Sequence, residues 1–251
     1  MINPAHYSQL VDSGMAKLSD LVSRSSEATG VPVATVREIS RRLREAELIR
    51  TGMGGRYGGA DMMPSDAASL LTALLIVRAS SVSLADIVAL TRFHLNFRAY
   101  KPDSHPLLMG RWDPPLFLPQ LERLKRGHTF GDSLSALIGS IANGDLKRAT
   151  KDWALIRPRR IAPSFTLDVF VNSPKPHPEA WIEFGAPAFD RLSLIYVRPQ
   201  DVKMVIIPDA PRKWSDLSAD TGFDLTVRAS ITENTLSSIG LLLRNSETKY
   251  A

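Results

Sequence analysis

Val22 to Arg41 reads VSRSSEATGVPVATVREISR, and this stretch places one glycine and three apolar residues where a helix-turn-helix needs them. Gly30 is expected at the tight turn, because a residue without a side chain tolerates positive φ. Val31 follows it into the core, and Val36 and Ile39 are spaced so that one face of the second helix packs inward. The sequence therefore predicts two helices joined by a glycine turn.

The opposite face of the second helix carries polar side chains that suit phosphates and base edges in a major groove. The residues of this helix that we expect to contact DNA are Thr35, Arg37, Glu38, Arg41, Arg42 and Arg44. Thr35 and Glu38 are expected at base edges, whereas Arg41 and Arg42 should mostly neutralise phosphates. An ordinary helical hairpin with a glycine turn is the alternative interpretation.

A glycine-rich segment follows the second helix. Five of the chain's 15 glycines lie between residues 52 and 59, around Arg56 and Tyr57. Such a segment suits the tip of a β-hairpin, with Leu48–Thr51 as one arm and Ala60–Met63 as the other. Arg56 is expected to reach phosphate or the minor groove, and Tyr57 is a further candidate DNA contact. A plain loop is the alternative, and the phosphate-cradling and dinucleotide-binding glycine motifs both fail here.

A helix-turn-helix followed directly by a glycine-tipped hairpin resembles the winged helix-turn-helix regulators, over the first quarter of the chain. Ser26 supplies the small residue that is usual four positions before the turn glycine. The resemblance implies binding to double-stranded DNA. Most such regulators read two half-sites as symmetric dimers, so it also implies a homodimer. The expected interface is the face of Leu236, Ile239 and Leu243, or the central Pro64–Ala79 helix, with a place in the core of the chain as the alternative for either.

The composition is that of an ordinary globular protein, with 251 residues, 44% hydrophobic and 23% charged. No apolar run approaches the ~18 residues of a membrane helix, and residues 1–10 lack the pattern of a secretory signal. Without cysteine the chain has no disulfides and no thiolate metal sites, which suits a reducing compartment. We therefore expect a cytoplasmic protein without a membrane partner.

The net charge of +5 fits a polyanionic partner, but the charge is unevenly distributed. Residues 1–64 carry 8 basic and 7 acidic side chains, so the region expected to read DNA is nearly neutral. The strongest basic stretch is Lys147 to Arg160, which contains Lys147, Arg148, Lys151, Arg157, Arg159 and Arg160. We interpret it as a solvated linker between domains, with additional phosphate contact as the alternative.

Periodic apolar residues predict a helical region over residues 65–146. Residues 67–77 leave few polar positions, which indicates a buried central helix. The further helices expected here are Ser83 to about Phe93, Leu118–Arg126 and Gly131–Ala142. Thr129 is the expected cap of the last helix, and Asn143-Gly144 its end. Pro102–Pro119 is expected to be an irregular connection.

Alternating apolar residues predict strands beyond residue 160. Leu167, Val169 and Val171 share one side of a strand, and Ile182 and Phe184 alternate with Trp181 and Glu183 in the next. Two short apolar runs, Ser193–Arg198 and Lys203–Pro208, and a last strand over Phe223–Ala229 follow. Thr232 then opens a terminal helix with an apolar face.

The expected fold class is therefore α+β, with a small mixed or antiparallel sheet and a terminal helix in the C-terminal region. We divide the chain into a winged helix-turn-helix over residues 1–64, a helical region over 65–146, the basic linker over 147–163, and an α+β dimerisation or sensing domain over 164–251.

Residues that could carry catalysis are scattered along the chain. The five histidines are His6, His94, His105, His128 and His177. His94 is expected to pack at a helix end, and Asp103 with His105 is the nearest approach to a catalytic pair, although no nucleophile accompanies it. We expect no catalytic residue, no metal and no cofactor.

The sequence predicts a sequence-specific transcription regulator of bacterial or phage type that is not an enzyme. A small effector of unknown identity is a possible further partner, in a pocket of the C-terminal strands. Two alternatives remain open. One is a protein-interaction or assembly factor that binds protein through a helix-turn-helix-like domain, and the other is an enzyme with a C-terminal active site.

Overall fold

The computed structural model describes residues 16–52, 60–79, 83–100, 118–125, 127–156, 166–172, 179–186, 190–197 and 228–244. Within these ranges the helices are α1 Leu18–Thr29, α2 Val33–Glu45, α3 Pro64–Ala79, α4 Ile87–Leu95, α5 Pro119–Glu122, α6 Phe130–Ala142, α7 Asp145–Ile156 and α8 Glu233–Arg244. The strands are β1 Arg98–Tyr100, β2 Thr166–Asn172, β3 Glu179–Ala186, β4 Asp190–Val197 and β5 Arg228–Thr232. The α+β class is confirmed.

The strands form one antiparallel sheet in the order β1-β4-β3-β2-β5. Val169 lies opposite Ile182 of β3 on one side and Ile231 of β5 on the other, and all three side chains are buried. The expected period of two is thereby confirmed in β2, where Leu167, Val169 and Val171 face the core. Strand β1 was not predicted, because three residues are too short to show an alternation.

Helix α3 occupies the centre of the protein, as its sequence predicts. Leu70, Leu71, Leu74 and Leu75 are fully buried, and the helix packs against α4, α6 and strands β2 and β5. The one polar residue in the middle of this run, Thr72, donates its hydroxyl to the carbonyl of Ala68 at 2.8 Å. A buried hydroxyl that is satisfied within its own helix costs little.

Helix α6 begins and ends where the sequence predicts. Thr129 Oγ1 accepts a hydrogen bond from the backbone of Asp132 (3.1 Å), and the Asp132 carboxylate accepts one from the backbone of Thr129 (2.8 Å). This reciprocal pair satisfies two of the free amides of the first turn. After the helix, Gly144 takes a left-handed φ of 74°. Helix α8 packs against α6 and also against α1, and its Leu236, Ile239 and Leu243 are buried.

Several predicted elements differ from the structure, and among them the helix expected from Ser83 begins only at Ile87. The segment interpreted as the basic linker is helical as far as Ile156, because α7 covers Asp145–Ile156 and buries Leu146 and Ala149 against the core. The helix expected over Leu118–Arg126 is only the short α5, since the chain turns after Glu122. Residues 157–163, the run Lys203–Pro208, and most of Pro102–Pro119 lie outside the described residues.

The buried apolar residues form one cluster that extends from Ala16 to Leu243. Strand β1, from the region predicted as helical, pairs with β4, and α1 packs against α8. The predicted division into domains stays a prediction, but the described parts of these regions share contacts.

Candidate nucleic-acid interface

The turn between α1 and α2 has the predicted geometry. Gly30 takes a left-handed φ of 72°, and its amide donates to the carbonyl of Ser26 at 2.9 Å. The hydroxyl of Ser26 donates to the carbonyl of Val31 at 2.7 Å. The backbone carbonyl of Ser26 thus contacts one side of the turn and its hydroxyl the other, and the small size of the residue alone does not explain the hydroxyl contact.

The inner face of α2 is also as predicted. Val36, Ile39 and Leu43 are fully buried, and α2 packs against α1, α3 and α4. This packing fixes which side of the helix faces outward. At about 3.6 residues per turn, Glu38, Arg41 and Glu45 lie opposite the buried face. Arg37 and Arg44 lie along one edge of the outer face, and Thr35 and Arg42 along the other.

The three residues opposite the buried face form an ion-paired cluster with Arg42. Glu38 accepts from Arg41 through two hydrogen bonds of 2.7 and 2.9 Å, and from Nε of Arg42 at 2.7 Å. Arg41 also pairs with Glu45. The hydrogen bonds from Arg41 and Arg42 lower the pKa of Glu38 to about 2, and those from Glu38 and Glu45 raise the pKa of Arg41. The cluster is thus fully charged at neutral pH and has no net charge.

Arg37 and Arg44 differ from the cluster in having free guanidinium groups. Both side chains are exposed, and within the described ranges neither has an ion-pair or hydrogen-bond partner for its side chain. They are seven residues apart, which places them two turns apart on the same edge of α2. The positive charge that α2 offers to a partner therefore lies on this edge.

The C-terminal end of α2 is held by long-range contacts. Arg92 of α4 donates from Nη2 to the carbonyl of Ala46 at 2.9 Å. Glu47 takes a left-handed φ of 60°, and the amide of Leu48 turns back to the carbonyl of Leu43 at 2.8 Å. A left-handed residue after the helix and this back bond are typical of a helix C-cap, although glycine is usual at that position.

The arms of the expected hairpin are described only outside the tip. Neither residues 48–52 nor residues 60–63 form a strand, so the expected ladder is absent from the described parts of the arms. Instead, the amide of Met62 donates to the carbonyl of Ala16 at 2.9 Å. Arg56 and Tyr57 lie outside the described residues.

The buried carboxylate of Asp66 joins the two arms. It accepts from the backbone amides of Arg50 (3.0 Å) and Met63 (2.8 Å), one on each side of the glycine-rich segment. It also pairs with Nε of Arg50 at 2.7 Å. Sequence reasoning missed this contact, although an acid at the third position of a helix is a recognised capping signal.

The basic stretch contributes a second group of exposed cations. Lys147 and Lys151 are four residues apart on α7 and both are exposed, whereas Arg148 pairs with Asp145. Arg157, Arg159 and Arg160 lie outside the described residues.

The surfaces expected to form a dimer are used inside the chain. Leu236, Ile239 and Leu243 are no more than 2% exposed, and α3 is buried over most of its length. Neither face is available to a second copy while the chain is folded, so this expected location of the interface is wrong.

The two described histidines are buried. His94 is held by the carbonyl of Leu90, 2.8 Å from its Nδ1, and its packing at a helix end is confirmed. His128 lies between the carbonyl of Lys125 (3.0 Å from Nδ1) and the hydroxyl of Tyr196 (3.2 Å from Nε2). His6, His105, His177 and Asp103 lie outside the described residues.

No helix in the described part of the chain is long and apolar enough to span a bilayer. Comparison of the chain with protein-family models, with curated proteins and with solved structures finds no match.

Proposed function

We propose that the protein binds double-stranded DNA through α2 and acts as a sequence-specific transcription regulator. The observation that carries the proposal is the pair of exposed guanidinium groups of Arg37 and Arg44, which have no partner among the described residues. They lie on one edge of the outer face of a helix whose inner face is buried, and this helix follows a left-handed glycine turn. Free guanidinium groups with this spacing suit the phosphates along one groove edge.

The ion-paired cluster is compatible with this role. The pairs of Arg41 are exposed, and exposed ion pairs between neighbouring turns of a helix contribute little to stability. A phosphate oxygen therefore replaces Glu45 as the partner of Arg41 at small cost. Thr35, at the other edge and closer to the start of α2, is the side chain we propose for base contact, and Arg56 and Tyr57 are proposed as further contacts.

A titration of labelled random-sequence duplex at ~50 and ~200 mM salt tests the proposal, with fluorescence anisotropy as the readout. The Arg37→Ala/Arg44→Ala variant should bind at least about tenfold more weakly at the lower salt, and its salt slope should fall by about two counterions. The Lys125→Ala/Arg244→Ala variant loses the same charge from exposed positions outside α2 and should bind like the parent. An equal loss of affinity for duplex in both variants contradicts the role of α2, and so does an unchanged affinity in both.

We also propose a cytoplasmic homodimer, because one such helix reads only a single half-site. Light scattering at micromolar concentration, with and without DNA, tests the dimer, and a monomer in both samples contradicts it. Lys147 and Lys151 are the proposed additional phosphate contacts.

One observation favours the alternative of a protein partner. Val33 at the start of α2 and Met63 are each 42% exposed, and apolar side chains at that level suit a protein surface better than a phosphate. The titration above distinguishes the two, since a parent that does not bind duplex at ~50 mM salt supports the protein-binding function.

A further inference from the structure

A cavity of about 550 Å³ lies between α3, α4, α5 and α6. Its volume is within the range of roughly 300–1,000 Å³ that is usual for small-molecule sites. It is open to solvent on one side, where the exposed Arg92, Asn96 and Arg123 form the rim. None of the expected DNA contacts that the structure describes lines it.

The floor of the cavity is lined by small buried side chains, and the hydroxyl of Ser69 there already donates to the carbonyl of Ser65 at 3.1 Å. Ala68 of α3 and Ala136 of α6 are buried there, and Leu95 and Leu124 are half-buried at its sides. Gln120 lies directly over Gly139, where a Cβ would clash with its amide, so α5 is held tightly against α6 as one wall. A floor of this kind suits a ring or a short hydrocarbon chain.

The charged groups of the rim favour an anion. Arg123 has no side-chain partner within the described residues, and Arg92 uses Nη2 for the carbonyl of Ala46, which leaves its other donors available. Among the described lining residues the opposing charge is Asp132, whose Oδ2 is already occupied by the amide of Thr129 at 2.8 Å. Two guanidinium groups therefore face one engaged carboxylate.

We propose that this cavity binds a small amphiphilic organic anion, with an apolar ring or chain on the floor and a carboxylate, sulfonate or phosphate at Arg123 and Arg92. This ligand is the effector of the protein. The proposed effector site therefore lies between helices. The sequence analysis expected an effector pocket among the C-terminal strands instead.

The cavity is connected to the end of α2 by two residues. Arg92 lines the cavity and also donates to the carbonyl of Ala46, the C-cap residue of α2, and Leu48, which lies two residues after Ala46, lines the cavity as well. An anion that draws the guanidinium of Arg92 toward itself competes with Ala46 for its hydrogen bonds. Ligand binding and the position of α2 are thereby coupled, and this coupling rests on the proposed function of α2.

The site itself is tested without DNA, using anilinonaphthalene sulfonate as a fluorescent anion and phenylnaphthylamine as its uncharged analogue. The parent should bind the sulfonate saturably with one site per chain. Arg123→Glu should lower the affinity for the sulfonate by at least roughly tenfold, because the charged contact is lost. The affinity for the uncharged analogue should stay unchanged. Ser135→Phe, which fills the cavity from α6, should weaken both probes, and Arg244→Glu is the matched charge control.

The proposed site is overturned if the parent does not bind the sulfonate. It is also overturned if Arg123→Glu and Arg244→Glu change the affinity for the sulfonate equally. Because Arg123 and Arg244 are both exposed, these variants should fold like the parent. Circular dichroism checks this.

The coupling is tested by titrating the sulfonate in the presence and absence of duplex. Duplex should change the affinity for the sulfonate, and the sulfonate should change the affinity for duplex by the same factor. Arg92→Ala should remove this mutual effect, and an effect that persists in Ser135→Phe overturns the coupling. A parent that binds the sulfonate but not duplex refutes the proposed function and the coupling, while the anion site remains supported.

Discussion

Tyr196 Oη lies 2.6 Å from Ser133 Oγ, and this contact joins strand β4 to the first turn of α6. Both side chains are fully buried, and the same hydroxyl is 3.2 Å from Nε2 of His128. Burial raises the pKa of Tyr196, so the phenol stays protonated and serves only as a hydrogen-bonding group. A polar network that is buried and fully paired fixes one packing of helix on sheet.

Tyr196→Phe should therefore lower the free energy of unfolding by about 1–3 kcal/mol, because it leaves Ser133 and His128 without this partner in the core. Urea unfolding at pH 7.5 measures the effect. The Ser133→Ala variant and the double variant complete a cycle, and the two losses should be less than additive. Strict additivity would show that the two hydroxyls do not interact.

Acid should destabilise the protein below about pH 6.5 through His94 and His128. Burial lowers the pKa of both side chains below the usual value of 6.5. In this window the unfolded chain binds protons that the folded chain does not, so the free energy of unfolding falls as the pH falls. For a histidine that stays neutral in the folded protein, the free energy of unfolding falls by up to about 1.4 kcal/mol for each pH unit below 6.5.

The measurement is urea unfolding at several pH values for the parent, for His94→Leu and for the double variant His94→Leu/His128→Gln. The loss of stability on acidification should be smaller in the first variant and smaller still in the second. Burial raises the pKa of Glu233, which acts in the opposite direction at the acidic end of the range. An unchanged slope in both variants assigns the acid sensitivity to other groups.

Local regularities were predictable, whereas contacts between distant parts of the chain were not. The turn at Gly30, the inner face of α2 and the cap at Thr129 depend on residues within a few positions of one another, and the sequence shows them directly. The pairs of Glu38 with Arg41 and Arg42 are three and four residues apart, which is the usual spacing of ion pairs on a helix. The sequence alone could therefore have predicted them.

The contact of Arg92 with Ala46 joins residues 46 positions apart and depends on how α4 packs against α2. No periodicity in the sequence encodes that packing. The cavity has the same origin, because its walls come from four helices whose relative placement is set by the whole core.

Gly240→Ala should destabilise the protein even though alanine is the better helix former. A Cβ at this position would lie 2.5 Å from Cγ2 of Ile141 and 3.2 Å from the backbone nitrogen of Ala142. Isoleucine is stiff at χ1 and backbone cannot yield, so α8 must move away from α6, at a cost of about 1–3 kcal/mol. Ser238→Ala in the same helix is the control and should be neutral or slightly stabilising in thermal unfolding. A stabilised Gly240→Ala variant would show that the helices are farther apart.

Asp66→Ala should cost more stability than Asp20→Ala, although both carboxylates accept from a backbone amide at the start of a helix. Asp20 is exposed and accepts from the amide of Lys17 at 2.9 Å. Asp66 is buried and loses two backbone contacts together with the pair to Arg50, so we expect about 2–3 kcal/mol, against about 0.5–1 for Asp20. Equal losses in chemical unfolding would contradict the joining role of Asp66.

Glu38→Gln should increase the affinity of the protein for duplex DNA of any sequence. The carboxylate of Glu38 has a pKa of about 2, so it is ionised under all assay conditions and holds both Arg41 and Arg42. The amide removes one negative charge from the outer face of α2 and releases the guanidinium of Arg42 for phosphates, while Arg41 keeps only its pair with Glu45. At ~50 mM salt we expect affinity to rise by roughly threefold or more and the salt slope to steepen by about one counterion.

The matched control for Glu38→Gln is Glu27→Gln, which removes the same charge from an exposed ion pair of α1 with Arg24 at 3.4 Å. Since α1 lies outside the proposed contact face, this variant should gain little affinity, as only the weak long-range effect of net charge remains. If Glu27→Gln and Glu38→Gln increase affinity equally, the gain reflects net charge alone. If neither changes it, Arg41 and Arg42 do not face the phosphates, and the proposed placement of α2 on DNA is wrong.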